Sequence, residues 1–440
     1  MLFFSKSFLF IFFPILAILS YLSVSLFKNL RLYKVILIIF SIIFYGVWSY
    51  KFLLLFLALI YFNFTLTNSL IGLQDKKKYL YVIFGIIANL FVLIYFKYFN
   101  FLIENINQIF SLSFNLKKII LPLGISFITF QQISYLVNSL NFTKRKKLID
   151  FFFFSMFFPQ IIAGPILIFN DIDNQLKKNF PFLRVENIWK GIQIFFLGVF
   201  KKIFIADNLE PLVSKVFDQS LLTEFGSIDM FIGLVAYGLQ LYFDFSAYSD
   251  MAIGLALIFG IVLPINFNSP YKSQSISEFW GRWHITLNRF LENLIFLPLS
   301  LKFKRTISDN KYSNVKIVVY ATLITFLISG IWHGAGWTFI LWGLYHGIFV
   351  GFHRVYNLFK NSNQNNKPTS IKIIFNILLT NIVVFLSWVL FRSNDLGSAL
   401  EFYSILFNFL DGSWIRILEF ENIKSFLILL SLLFCCLFLP

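Results

Sequence analysis

Runs of apolar residues, separated by short polar stretches, recur along the whole chain. Most of them approach the roughly 20 residues that a helix needs to cross the hydrocarbon core of a bilayer. They lie near residues 8–27, 33–50, 52–71, 79–99, 119–140, 188–205, 230–259, 285–301, 315–331, 338–355, 371–390 and 426–439. The pattern predicts an all-α, polytopic helical membrane protein with about 11–13 membrane segments.

The stretch at residues 157–165 interrupts this pattern. It is apolar but short, and it contains Pro159, Gly164 and Pro165. Non-helical backbone is tolerated at membrane depth only where protein or a watery cavity surrounds it. The stretch therefore predicts either a re-entrant segment or the simple end of a helix.

The charged residues give the expected orientation. Only 13% of the 440 residues are charged, against about 25% in soluble proteins, yet the net charge is +16. The basic residues cluster at 28–34, 76–78 and 144–147, after alternate apolar runs. Because cytoplasmic loops are enriched in Lys and Arg, these clusters predict a cell inner-membrane protein whose N-terminus lies outside. This distribution explains the charge without a nucleic-acid partner, and we expect none.

The chain has four histidines, all in its second half: His284, His333, His346 and His353. His333 lies in the apolar segment 329–337, among three glycines and between two tryptophans. An ionisable side chain at membrane depth is costly and marks a functional site by default. The glycines allow another backbone or a narrow substrate to approach closely. His346 either packs beside such a site or bonds another helix, and His353 is predicted to be solvated.

Two further polar segments are candidates for the lining of a site. In segment 242–254, Asp244 and Tyr248 are four residues apart and share a helix face. They either line a buried chamber or hold helices together through hydrogen bonds. Segment 278–284 is rich in tryptophan and ends at His284. The candidate lining residues are Asp244, Tyr248, Asp250, Asn268, Tyr271, Trp280, Arg282, Trp332 and His346.

Several other chemistries lack their signatures in this sequence. It contains no G-x-S-x-G elbow, no Walker loop and no H-E-x-x-H motif. The two cysteines, Cys435 and Cys436, are adjacent, so they give neither a disulfide framework nor the spacing of a metal site. We therefore predict no metal ligands and no bound cofactor.

Four segments in a fixed order resemble one family. They are residues 243–254 (FDFSAYSDMAIG), 266–271 (NFNSPY), 278–285 (EFWGRWHI) and 332–335 (WHGA). Together with segments 122–127, 157–165 and 200–208, they are similar to the membrane-bound O-acyltransferase family. The bacterial branch that includes alginate and peptidoglycan O-acetyltransferases is the most similar. The set of segments in order is specific, although no single one is.

The resemblance implies a site in a membrane-embedded funnel or tunnel, within a single domain over residues 1–440 whose catalytic core is 119–356. It implies that His333 and His284 are the catalytic residues. It also implies transfer of acetyl from a cytoplasmic thioester, acetyl-CoA, to an exported cell-envelope polysaccharide. The acceptor is alginate-like or peptidoglycan, reached directly or through a periplasmic acetyltransferase or polysaccharide-export partner.

The residues themselves are compatible with that chemistry, and with two alternatives. A buried histidine tends to stay neutral and can accept a hydroxyl proton near physiological pH. However, Glu292 and Ile168 occupy places where the family commonly has a basic residue. A drifted member that only scaffolds an envelope complex is therefore one alternative. A transporter or flippase is the other, although such folds often show internal repeats and this chain shows none.

Overall fold

The computed structural model describes residues 3–178, 184–217, 225–307, 312–359 and 369–408, with five further residues at 427, 429, 431, 432 and 436. Within these ranges the protein is helical and contains no β-strand, which confirms the predicted all-α class. The helices are α1 (Phe13–Ser25), α2 (Leu30–Gly46), α3 (Tyr50–Ser69), α4 (Asp75–Leu93), α5 (Phe99–Phe110), α6 (Ile125–Asn138), α7 (Leu148–Met156), α8 (Phe169–Lys178), α9 (Val185–Phe200), α10 (Asp207–Phe217), α11 (Ser227–Ile258), α12 (Ile276–Arg282), α13 (Ile285–Leu291), α14 (Leu297–Thr306), α15 (Ser313–His333), α16 (Trp337–Phe359), α17 (Ser370–Arg392) and α18 (Leu396–Leu406).

Six helical stretches of the described chain are long and apolar enough to cross a membrane alone. They are Phe8–Ser25, Tyr50–Ser69, Asp75–Phe110, Ser227–Ile258, Ser313–His333 and Ser370–Arg392. Most of the other apolar runs form shorter or interrupted helices, although the run at 338–355 forms the continuous 23-residue helix α16. The run at 285–301, for example, is divided among α13, a π-helical turn at Glu292–Phe296 and α14. The protein is therefore a multi-pass membrane protein, and the last predicted run, 426–439, lies largely outside the described residues.

The irregular segment at 157–165 is buried and not helical, as its prolines and glycine predict. It follows the end of α7 at Met156. The Gln131 and Gln160 side-chain amides both donate to the Phe154 carbonyl, the former at 2.8 Å, and so satisfy a carbonyl at the end of α7. Buried backbone needs such partners when a helix ends inside the protein.

The chain divides into two compact units. The first contains Met1–Val199 and Tyr248–Pro264, and the second contains Phe200–Ala247 and Ile265–Pro440. The core of the first unit is built largely from phenylalanine and aliphatic side chains of α1, α2, α3, α6 and α7. All four histidines belong to the second unit.

In the second unit, α15 and α16 pack side by side, and α17 lies against α16. Glycines set the distance between α15 and α16. A Cβ atom on Gly330 would lie 3.0 Å from the Cα of Gly343, and one on Gly343 would lie 3.1 Å from the Cα of Gly330. Small residues at such a crossing let two membrane helices approach closely. The sequence-based expectation that these glycines admit another backbone is confirmed at Gly330.

Candidate active site

His333 is the last residue of α15, one turn beyond the close approach at Gly330. Its half-buried imidazole lies against aromatic rings on three sides. The centroid of the His333 ring lies 4.7 Å from that of Trp332, 4.9 Å from that of Trp342 on α16 and 5.1 Å from that of Phe391 on α17. Three helices therefore form an aromatic wall around His333.

His284 sits at the N-cap of α13 and has an unusual backbone. Its φ of 46° and ψ of 54° place it in the left-handed region, which is uncommon for a residue other than glycine. Such conformations persist only where the surroundings impose them, and they cluster at functional sites. The side chain is only 2% exposed. Burial lowers the pKa of the imidazole to about 3, so His284 is neutral at physiological pH.

Asn266 supplies the helix cap that His284 does not provide. The Ile285 amide donates to the Asn266 carbonyl at 2.9 Å, and the Thr286 amide donates to Asn266 Oδ1 at 3.2 Å. The Thr286 hydroxyl donates to the same Oδ1 at 2.9 Å. An N-cap residue usually makes these bonds with its own side chain. Since Asn266 makes them instead, the His284 imidazole does not cap its own helix.

Trp332 joins the two proposed catalytic histidines. Its ring centroid lies 4.7 Å from that of His333 and 6.3 Å from that of His284. The His284 ring also meets the Phe245 ring edge-on, with their centroids 4.6 Å apart. The structure thus brings His284, Trp332 and His333 together in one aromatic cluster of the second unit.

His346 belongs to a hydrogen-bond chain through three helices. The Trp280 indole on α12 donates to His346 Nδ1 at 3.3 Å. Nδ1 is therefore unprotonated, and Nε2 donates to the Ser387 hydroxyl on α17 at 2.8 Å. That hydroxyl donates in turn to the Val384 carbonyl at 2.6 Å. Because both ring nitrogens are engaged, the geometry favours the helix-bonding interpretation of His346. Its ring also contacts Trp342 at 4.9 Å.

Three other predicted lining residues hold the loop before His284. The Tyr271 hydroxyl donates to the Gly238 carbonyl at 2.6 Å. The backbone N–H of Asn268 donates to the Arg282 carbonyl at 3.0 Å. The Arg282 guanidinium forms an ion pair with Glu278 at 2.7 Å. These contacts fix the backbone on both sides of the segment that ends at His284.

The predicted network in segment 242–254 is divided between the units. Asp244 belongs to the second unit, is 51% exposed, and forms an ion pair with Lys202 at 2.6 Å. Lys202 also pairs with Asp207 at 2.9 Å. Tyr248 and Asp250 belong to the first unit, where the Tyr248 ring lies 5.2 Å from Phe3. The contacts of Asp244 match the structural interpretation, in which a carboxylate holds helices together.

The sequence did not single out Trp342, Phe391, Asn266 or Ser387. Trp342 lies in the same short segment as His346, and Asn266 begins the second motif, so both had a local signal. Phe391 and Ser387 lie in an apolar run and had none. His353 differs from its prediction, since it is half-buried and its Nδ1 lies 2.8 Å from the Ser277 hydroxyl.

No described group of three or more His, Cys, Asp and Glu side chains is arranged to hold a metal ion. Comparison with known sequences identifies the family of the chain. A sequence model of the membrane-bound O-acyltransferase family matches residues 40–392. The chain belongs to the membrane-bound O-acyltransferase family. As a member of that family it is an acyltransferase.

Relatives within the membrane-bound O-acyltransferase family carry three names. The chain is 39% identical over 431 residues to a peptidoglycan O-acetyltransferase of Helicobacter pylori, covering 91% of this chain and 79% of the relative. It is 38% identical over 422 residues to a probable alginate O-acetylase of Pseudomonas aeruginosa, covering 94% and 76%. A teichoic acid D-alanyltransferase of Bacillus subtilis is 26% identical over 250 residues, covering 56% and 61%. The predicted family and enzyme class are confirmed.

Proposed function

We propose that this protein transfers an acetyl group from acetyl-CoA in the cytoplasm to hydroxyl groups of an exported cell-envelope polysaccharide. The observation that carries the proposal is the placement of His333 within an aromatic wall, joined through Trp332 to the buried, neutral His284. The names of the relatives support an acetyl group and an acceptor such as peptidoglycan or an alginate-like polymer.

His333 is the general base in this proposal. Its neutral imidazole accepts the proton of the acceptor hydroxyl while the hydroxyl oxygen attacks the thioester carbonyl carbon. The tetrahedral intermediate then collapses, the carbon–sulfur bond breaks, and the departing thiolate takes the proton from His333. Proton transfer by a positioned side chain typically contributes about 10²–10⁴-fold to a rate. The aromatic rings around His333 limit water, which would otherwise compete as acceptor.

His284 has a different role, because its burial keeps it uncharged. A neutral imidazole can donate or accept a hydrogen bond, but it cannot stabilise an oxyanion as a cation would. We assign His284 to orient the reacting groups. Its backbone, held by Asn266, is suited to fixed positioning rather than to movement during turnover.

The proposed orientation follows from the basic loops. With residues 28–34, 76–78 and 144–147 in the cytoplasm, the N-terminus of this inner-membrane protein lies outside. The donor then arrives from the cytoplasm and the polysaccharide from the other side, directly or through a periplasmic acetyltransferase or export partner. The membrane-embedded fold separates the two substrates.

The test is the ester content of the polysaccharide in cells that carry His333→Ala in place of the wild-type protein. We expect acetyl esters to disappear while the amount of protein in the membrane stays normal. Mass spectrometry of the released acyl groups separates acetyl from D-alanyl esters. Wild-type ester content in the His333→Ala strain would instead favour a protein that only scaffolds an envelope complex. Detection of D-alanyl esters would mean that the transferred group is D-alanyl rather than acetyl.

A further inference from the structure

We propose that a cavity in the first unit binds the phosphate headgroup of an anionic phospholipid from the cytoplasmic leaflet. The cavity has a volume of about 870 Å³ and lies where α2 and α7 both begin. Arg31, Lys34 and Lys147 line it together with the single carboxylate of Asp150. The lining is therefore net positive.

The charges within the cavity are not equivalent. Lys34 is largely buried and forms an ion pair with Asp150 at 2.5 Å, so these two groups neutralise each other. Arg31 and Lys147 are exposed, and neither forms an ion pair with any residue that the structure describes. These two cations remain available to a ligand.

Lys146, which precedes Lys147 in the chain, makes contacts within the protein that Lys147 does not make. Its ammonium group pairs with Asp173 at 3.2 Å and lies 4.8 Å from the centre of the Phe142 ring. Lys146 therefore stabilises the fold, whereas the adjacent Lys147 lines the cavity and forms no ion pair with a described carboxylate. The contrast separates a structural lysine from one suited to bind an anion.

The helix ends and the walls define the ligand further. The first turns of α2 and α7 border the cavity, and helix N-termini favour negative charge. Ile38 and Phe152 add an apolar wall beside the cations. A phosphate diester attached to acyl chains satisfies both features, because the headgroup meets the cations and a chain meets the wall. Basic pockets between membrane helices on the cytoplasmic side bind such headgroups.

The leaflet assigned to this lipid rests on the proposed orientation, but binding itself does not.

The experiment is native mass spectrometry of the full-length protein from detergent supplied with phosphatidylglycerol or phosphatidylcholine. The cavity variant carries both Arg31→Gln and Lys147→Gln. Its control carries both Lys76→Gln and Lys77→Gln, which removes two exposed charges at the start of α4 that do not line the cavity.

We expect the wild type and the control to retain phosphatidylglycerol in preference to phosphatidylcholine. The cavity variant should lose that preference by about fivefold for each charge, or about 25-fold in all. Unchanged elution and melting temperature in detergent would show that the variant is folded. Equal loss in both variants would overturn the proposal, since general surface charge would then hold the lipid. Displacement of the lipid by millimolar inorganic phosphate would also overturn it, in favour of a soluble phosphate ligand. Because lipid retention is read without any acyl transfer, failure here leaves the proposed enzyme activity untouched.

Discussion

The cores of the two units are built from different aromatic side chains. In the first unit, Phe8, Phe12, Phe44 and Phe158 all contact one another, mostly in tilted or edge-on arrangements, with ring centroids 5.4–6.2 Å apart. The core of the second unit instead contains four tryptophans, Trp280, Trp283, Trp342 and Trp388, among its aliphatic and phenylalanine side chains, and the buried His346 packs against three of those rings. Phenylalanine fills space without polar atoms, whereas an indole, phenol or imidazole also needs or offers a hydrogen bond.

This difference is consistent with the proposal that the second unit carries the chemistry. The second core sustains a bonded chain from Trp280 through His346 to Ser387, and it holds His333 among rings. A network with fully bonded polar groups specifies one packing arrangement, while a hydrocarbon core tolerates some repacking. The first unit should therefore respond to mutation mainly through stability, and the second through both stability and activity.

The largest expected effect separates two histidines of the second unit. His333→Gln should lower acyl transfer by about 10²–10⁴-fold with little change in melting temperature, because the proton acceptor is lost. His346→Gln should mainly lower the melting temperature, because it leaves Trp280 or Ser387 without a partner in a buried site. Transfer assays and thermal unfolding of both purified proteins check this.

His333 and His346 both contact the Trp342 ring at 4.9 Å, so each variant serves as a control for the other. Equal losses of activity per folded molecule in both would contradict the division into a catalytic and a structural histidine.

The next effect tests the first unit. Phe151→Ala should lower the free energy of unfolding by about 3–5 kcal/mol, because it removes a fully buried ring from a packed core. That ring lies 4.1 Å from Tyr135 and is 0% exposed. Activity per folded molecule should remain near that of the wild type. Phe151→Leu, which leaves a smaller cavity, should lose less stability. A clear fall in activity per folded molecule of Phe151→Ala would contradict the comparison between the units.

A smaller effect is expected at Asn266, which positions His284. Asn266→Ala should reduce kcat by about 10–100-fold through misplacement of the imidazole, and stability by about 1 kcal/mol through loss of the cap. Asn266→Asp retains an oxygen acceptor for Thr286 and should recover part of kcat. The measurement is kcat and KM at several pH values. A stability loss with unchanged kcat would leave Asn266 as a cap alone.

The smallest effect is the contribution of His284 to pH dependence. Its folded pKa, about 3, lies below its ordinary value of about 6.5, so between these values the unfolded state binds a proton that the folded state does not. Stability should therefore fall as pH drops from 6.5 towards 3. The melting temperature of His284→Gln should fall less than that of the wild type between pH 7 and pH 5. Parallel curves would show that His284 is not buried in its neutral form.

The fold class and the close helix contact near His333 could be read from the sequence because both signals are local. Apolar runs of sufficient length predict membrane helices, and glycines beside His333 predict the close approach found at Gly330. The cap of α13 could not be read in the same way. Capping is normally supplied by the residue at the helix start, whereas here Asn266 lies 20 positions before Thr286.

Helix spacing alone did not identify the partners of two residues in segment 242–254. Asp244 and Tyr248 are four residues apart on one helix, but their neighbours differ: Asp244 pairs with Lys202, and Tyr248 packs against Phe3. Sequence periodicity gives the face of a helix but not the elements that cover it. The wall formed by Trp342 and Phe391 around His333 was hidden for the same reason.

The contact between Gly330 and Gly343 has a consequence for redesign of this enzyme. Where two helices touch through backbone, neither side offers a side chain that could be trimmed to make room for a bulkier acyl group. Extra space next to His333 must come from the rings instead, and Phe391 is the natural position to shorten because it lies on a separate helix from both glycines. Attempts to broaden the range of acyl donors should therefore begin there and leave the glycine pair intact.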